Sequence, residues 1–192
     1  MSRFYRDKLG EEQQRIFQRL VNGENIFLTG NAGTGKSFLV EAYNEYCEEN
    51  HIKLVKTAPT GVAACNIRGA TLHKTFALKT DTKSMLREET SLPDKVEKIL
   101  NLASAVLIDE ISMVRIDVFD KIMSYISIAN AQRAEQKRKD IQLILVGDFY
   151  QLAPVIPPED KKMLDLYYGR DIGNGFAFQS KYWQTLKVQL EK

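Results

Sequence analysis

Cysteine is scarce in this chain: only Cys47 and Cys65 occur among 192 residues. Their spacing matches no zinc motif, and two are too few for a disulfide framework, so a reducing, intracellular compartment is the expectation. Long apolar runs are missing too. None approaches the roughly 18 residues of a membrane span, and the opening MSRFYRDKLG lacks the apolar stretch of a signal peptide. No membrane partner is expected. Net charge is nearly absent, since 27 Lys and Arg face 25 Asp and Glu and leave +2. Bulk electrostatics therefore cannot carry nucleic-acid binding, and any such binding has to come from a local groove. Internal repeats, low-complexity tracts and Gly/Ser linkers are also lacking, and so is any sign of a domain boundary.

What is present is a globular pattern. Apolar residues make up 44% of the chain, which excludes disorder, collagen and coiled coil. Ile16, Phe17, Leu20 and Val21 recur at helical spacing behind a Glu-rich first turn. Short apolar runs at 25–29, 53–57, 105–108 and 142–146 predict four strands, with a fifth at 187–190. A helix carrying Phe38, Leu39, Ala42 and Tyr43 follows the first strand, and Val114, Val118, Ile122 and Ile126 step by four along another. Buried strands alternating with helices predict an α/β domain whose mainly parallel sheet is covered on both faces. Residues 77–95 and 132–140 are polar or charged and read as exposed surface.

Residues 30–37, GNAGTGKS, fit G-x-x-x-x-G-K-[ST] between a predicted strand and a predicted helix, the context a phosphate-binding loop requires. Gly30, Asn31, Ala32, Gly33, Thr34 and Gly35 would turn main-chain N–H groups toward a polyphosphate at the helix N-terminus. Lys36 would reach the β- and γ-phosphates, and the Ser37 hydroxyl would bind Mg2+. The strand at 105–108 ends in Asp109 and Glu110. Alone, such a pair is an ordinary solvated strand end. Beside the loop, Asp109 reads as the second magnesium ligand and Glu110 as the group that orients the attacking water, which favours hydrolysis over transfer to a small acceptor. Gln151, in VGDFYQLAPV, has an amide suited to sensing a γ-phosphate, although the segment alone reads as a simple Gly-Asp turn. Thr60, Gly61 and His73 lie in TAPTGVAACNIRGATLHKTF, whose small and hydroxylated residues suit close approach of a nucleic-acid backbone.

In order along the chain, these segments resemble the Pif1-like branch of superfamily 1 helicases, near the RecD and Dda types. LGEEQQ at 9–14 is similar to the Q motif, whose glutamine reads the adenine edge: Gln13 is the first choice and Gln14 the close second. Residues 30–37 resemble motif I, 57–76 motifs Ia and Ib, 107–113 motif II, and 146–155 motif III. FAFQSKYW at 176–183 is similar to the segment before the family's second motor domain. Ala153 and the Lys139-Asp140 pair depart from the family pattern without touching a nucleotide position.

The resemblance implies a single RecA-like domain over residues 1–192, with a small insertion near 77–95 and no second motor domain. It implies ATP and Mg2+ as cofactors, Phe38 among the nucleotide-contacting residues, and single-stranded DNA as partner to a monomer moving 5′ to 3′. Lys36, Glu110 and Gln151 would then be catalytic. Two alternatives stay open: a nucleotide-gated DNA-binding module without turnover, and a different P-loop ATPase.

Overall fold

The computed structural model describes residues 4–31, 33–186 and 189–191. Helix α1 (Glu11–Val21) precedes strand β1 (Ile26–Leu28), and helix α2 (Lys36–Glu49) leads to β2 (Leu54–Ala58). Three short helices follow, α3 (Gly61–Asn66), α4 (Leu72–Thr75) and α5 (Thr82–Met85), with β3 (Ala70–Thr71) between the first two. Helix α6 (Asp94–Leu102), β4 (Ala105–Ile108), the long α7 (Ile116–Glu135) and β5 (Gln142–Val146) continue the alternation. The last elements are α8 (Pro158–Tyr168), α9 (Lys181–Thr185) and β6 (Gln189–Glu191).

The strands form one sheet in the order β3-β2-β4-β5-β1-β6, and every pairing between them is parallel. Parallel pairing sends all the strands' carboxyl ends to one edge. Register then aligns those ends: Leu28 lies opposite Val146, Ile108 opposite Leu145, and Thr57 opposite Ile108. The ladder runs one residue further on each side, with Asp109 N–H donating to Thr57 O at 2.9 Å and Gly147 N–H to Leu28 O at 3.1 Å.

The two-residue period of the strands separates two cores. Ile26, Leu28, Ala105, Leu107, Ile144 and Val146 face α1, α2 and α3, and pack on Ile16, Leu20, Leu39 and Tyr43. Phe27, Val106, Ile108, Leu143 and Leu145 face the other way, onto Val96, Leu100, Phe119 and Ile122 of α6 and α7. Each such aliphatic or aromatic side chain, fully buried, contributes about 1.5–3 kcal/mol, which is why the middle strands tolerate no polar position. Gln142 is the instructive exception. It is buried, but its amide accepts from Tyr43 Oη at 2.7 Å and donates to the carbonyls of Leu20 and Glu24, so no polar atom is stranded.

The strands predicted at 105–108 and 142–146 are found to the residue, and those at 25–29 and 53–57 differ by one residue at each end. Of the fifth predicted strand, Lys187 and Val188 lie outside the described residues, and the strand runs over Gln189–Glu191. Helix α7 starts at Ile116, so Val114 packs just ahead of it, closing a single 3-10 turn. The two stretches read as exposed surface are mostly exposed, with a few buried residues that the reading did not foresee. Within 77–95, Leu78, Thr82, Met85 and Leu92 are buried, three of them in the core against α7, because hydrophobic residues spaced through a polar sequence still find one face. Within 132–140 only Arg133 is buried; it donates to the carbonyls of Leu100 and Ala103 at the end of α6 and to that of Lys139.

Candidate nucleotide and nucleic-acid site

Strand β1 delivers the phosphate loop to the carboxyl edge of the sheet. Gly35, with φ 88°, is the N-cap of α2, and no side chain occupies that cap. That left-handed backbone demands glycine, whereas the 2.5 Å approach of a Cβ to Gln13 Nε2 meets only the end of a flexible side chain that could turn aside. No acidic residue sits in the first turn of α2. The positive end of a 14-residue helix is therefore left for an external anion. Lys36 folds over the loop, its Nζ donating to Gly30 O at 2.6 Å and Asn31 O at 3.0 Å. Thr34 Oγ1 donates to Asn31 O at 3.0 Å and braces the loop from inside. Gly33 and Ser37 are open at its mouth, and Ala32 lies outside the described residues. The Phe38 ring packs edge-on against Tyr5 at 5.0 Å, so what this residue offers the loop is its main chain.

Strand β4 places the two acids beside the loop. Asp109 is half-buried, and desolvation holds its carboxyl above the ordinary carboxylate range, partly offset by the N–H of Glu110 and the Lys36 charge. Its Oδ1 accepts from Glu110 N at 2.9 Å. Glu110 itself has φ 51° and ψ 44°, a left-handed conformation that a non-glycine residue adopts at a cost of about 1–3 kcal/mol. That backbone turns its side chain out of the strand direction. Ser37, Asp109 and Glu110 line one cavity of about 310 Å³, together with Tyr5, Glu41 and Arg68.

A hard divalent cation fits this wall. Ser37 and Asp109 supply oxygen donors to one space, and a desolvated carboxylate gains from a cation's charge. Two protein oxygens are too few to hold the ion alone, and no cluster of three acidic, His or Cys ligands occurs among the described residues. That donor set suits magnesium arriving with phosphate oxygens as its remaining ligands.

Strand β5 contributes the third wall. Asp148 is buried at the start of a tight turn, where its Oδ1 accepts from Tyr150 N at 3.0 Å and its Oδ2 from Gln151 Nε2 at 3.1 Å. Gln151 is exposed at the sheet edge, held by this bond rather than by the core. Of the two candidates in the Q segment, Gln13 lies against the loop, with Nε2 3.5 Å from Gly35 O, and lines a small cavity with Thr34, Gly35 and Lys36. Gln14 turns away to donate to Leu9 O at 3.0 Å.

The candidate DNA residues sit on the far side of the acids, where β2 and β3 end next to each other with Ala58 opposite Thr71. Thr60 caps α3, its hydroxyl accepting from Ala63 N at 3.2 Å, which leaves the hydroxyl hydrogen free to donate outward. Gly61 and His73 are exposed. Arg68 is a residue that sequence reasoning missed: it adopts φ 50° and lines the cavity of the acids. Its signal was a basic residue within the 57–76 segment itself, just before Gly69.

A family model for PIF1-like helicase matches residues 8–191. The chain is 38% identical over 193 residues to the ATP-dependent DNA helicase PIF1 of Homo sapiens, covering 96% of this chain and 26% of that protein. It is 34% identical over 195 residues to the PIF1 helicase of Saccharomyces cerevisiae, covering 96% of this chain and 21% of that protein. Among solved structures it is similar to the Pif1 helicase from Bacteroides in complex with ADP-AlF3 and single-stranded DNA, with a TM-score of 0.73 at 28% identity. That match covers 96% of this chain and 42% of the other. The chain thus spans about a quarter of the length of the curated relatives it matches.

Proposed function

The chain belongs to the PIF1-like helicase family, and from that premise we propose that it is the ATP-binding motor domain of an ATP-dependent DNA helicase, the first of two RecA-like domains. The observation that carries the proposal is convergence: three neighbouring parallel strands bring Lys36 and Ser37, Asp109 and Glu110, and Gln151 to one edge of the sheet. In this reading Gln13 contacts the base, and the main chain of residues 30–38 holds the phosphates. Lys36 leaves its carbonyl partners for the β- and γ-phosphates. Ser37 and Asp109 hold Mg2+, which supplies Lewis-acid stabilisation of phosphate charge. Glu110 accepts the proton of the attacking water, and Gln151 reads the γ-phosphate. Thr60, Gly61 and His73 line the path of single-stranded DNA, which the related Bacteroides protein binds. No helix among the described residues is long and apolar enough to cross a membrane.

The test is a steady-state ATPase assay on a two-domain parent, with and without oligo-dT, beside a titration of fluorescent oligo-dT. Turnover stimulated by oligo-dT and abolished by Lys36→Ala is expected. DNA binding with no turnover would instead support a nucleotide-gated binding module, and turnover that ignores oligo-dT would support another P-loop ATPase.

A further inference from the structure

Gln151 and Phe149 stand on one turn but serve different surroundings. The turn is braced by Asp148, whose two carboxylate oxygens accept from Tyr150 N and Gln151 Nε2 while its carbonyl accepts from Gln151 N at 3.0 Å. Gln151 is exposed beyond the carboxyl end of β5, whereas the Phe149 ring is half-buried and packs against the core on the α6 and α7 face. There it meets Phe27 of β1 at 5.5 Å, Phe176 at 5.5 Å, Phe178 at 4.9 Å and Trp183 at 5.6 Å, mostly edge to face. Trp183 in turn touches Phe27 at 5.3 Å and Phe119 of α7 at 5.7 Å.

The segment carrying Phe176, Phe178 and Trp183 is strapped across α7. Ile116 N–H donates to Gly175 O at 2.8 Å, and the buried Ser180 hydroxyl donates to Asp120. Beyond the strap the chain returns as β6 alongside β1, with Leu190 opposite Phe27. We infer that Phe149 is a positioning residue, which passes a displacement of the Gln151 turn to the Trp183 strap through this aromatic cluster. The inference rests on the nucleotide reading above. A turn closed by three hydrogen bonds moves as a unit, and a close-packed ring cannot absorb that movement without shifting its neighbours. Edge-to-face contacts are sensitive to the angle between rings, so a small rotation of Phe149 changes the surroundings of the indole.

Trp183 is the single tryptophan of the 192-residue sequence and reports on the cluster directly. The experiment measures Trp183 emission with Mg-ADP and with a non-hydrolysable Mg-ATP analogue, beside the thermal shift each nucleotide produces. The triphosphate is expected to change the emission more than the diphosphate. Phe149→Leu should abolish that difference while keeping the thermal shifts, and Phe149→Tyr, which keeps the ring, should restore it. Thermal shifts without an emission difference in the parent chain would overturn this inference and leave the nucleotide reading standing. So would a difference that survives Phe149→Leu. No thermal shift with either nucleotide would overturn both. If Phe149→Leu does not fold, Phe178→Leu at the exposed rim of the cluster decides: a reduced difference supports the relay, and an unchanged one overturns it.

Discussion

Lys36 and Arg115 each stand at the centre of a polar cluster, yet only Arg115 has found its counter-charges. Its guanidinium donates to Asp117 at 2.9 and 2.6 Å, to Asp160 at 2.9 Å and to Thr82 Oγ1 at 2.7 Å, tying α5, α7 and α8 together. The carboxylates raise its pKa further, chiefly through the Asp117 hydrogen bond. Nearby, Lys121 is buried, donates to Arg87 O and is paired with the Glu89 carboxylate. At the carboxyl edge of the sheet the pattern reverses. Lys36 leans on two carbonyls, Glu110 has no side-chain partner among the described residues, and Asp109 remains desolvated. A saturated cluster has its interactions in the folded state and stabilises it. An unsaturated one costs stability and leaves its interactions for a ligand, so the two should respond oppositely to mutation.

Glu110→Gln should have the largest effect, and all of it on chemistry. The amide keeps the size but cannot take a proton from water, so turnover in a two-domain parent should fall about 10²–10⁴-fold. Folding stability should stay within about 0.5 kcal/mol, because no internal bond of the Glu110 side chain is lost. Parallel ATPase and urea-unfolding measurements check both halves. A variant that turns over at the parental rate would remove Glu110 from the role proposed here.

Arg115→Ala should show the converse, with stability lost and nucleotide response kept. The Asp117 side chain is fully buried and that of Arg115 is 16% exposed, so removing the cation strands a buried carboxylate. Breaking such a pair costs about 3–5 kcal/mol. In an Asp117→Asn background the same substitution should cost less, which a double-mutant cycle in urea would measure. Equal costs in both backgrounds would show that the pair is not coupled.

The comparison also explains what the sequence could and could not reveal. The buried strands and the phosphate loop are written locally, as unbroken apolar runs and an eight-residue pattern, so β4 and β5 are legible to the residue. The saturated cluster is not local: Thr82, Arg115, Asp117 and Asp160 meet only after folding, and none of them carries a signal of the others in its own stretch of sequence. The short helices were hidden for a related reason. Helices α3, α4 and α5 are four to six residues long, too short for a period, and announce themselves only by the caps Thr60, Thr71 and Asp81. Helix α8 carried a readable signal, Pro158 at its first turn and Gly169 with φ 64° at its end. Among the site residues, Phe149 was passed over because its neighbours come from 27, 176, 178 and 183, far apart in sequence.

Lys36→Ala probes the unsaturated side with a smaller effect. A nucleotide at 100 times its dissociation constant, binding only the folded chain, adds about 2.7 kcal/mol of stability. Most of that gain should vanish in the variant. The ligand-free stability should change far less than in Arg115→Ala, since the carbonyls of Gly30 and Asn31 that Lys36 releases lie in the open phosphate loop, half-buried and exposed respectively. Thermal shifts with Mg-ADP measure both. An undiminished shift would put the nucleotide elsewhere.

The smallest expected effect lies at the border of the saturated cluster, in Asp120. Burial raises its carboxyl above the ordinary value, although the Ser180 and Tyr168 hydroxyls that donate to it pull the other way. A folded-state pKa above the unfolded one means the folded chain binds the proton more readily. The resulting stabilisation is therefore greatest at acid pH and is lost as pH rises through the raised value. Asp120→Asn removes that titration. The stability of the parent minus that of the variant should accordingly fall as pH rises above the ordinary carboxylate range, and level off once the raised carboxyl has ionised. Urea midpoints collected across that range test the sign. A difference that rises with pH would mean that the two hydroxyl donors outweigh burial, and Asp120 would then count among the fully satisfied charges with Asp117.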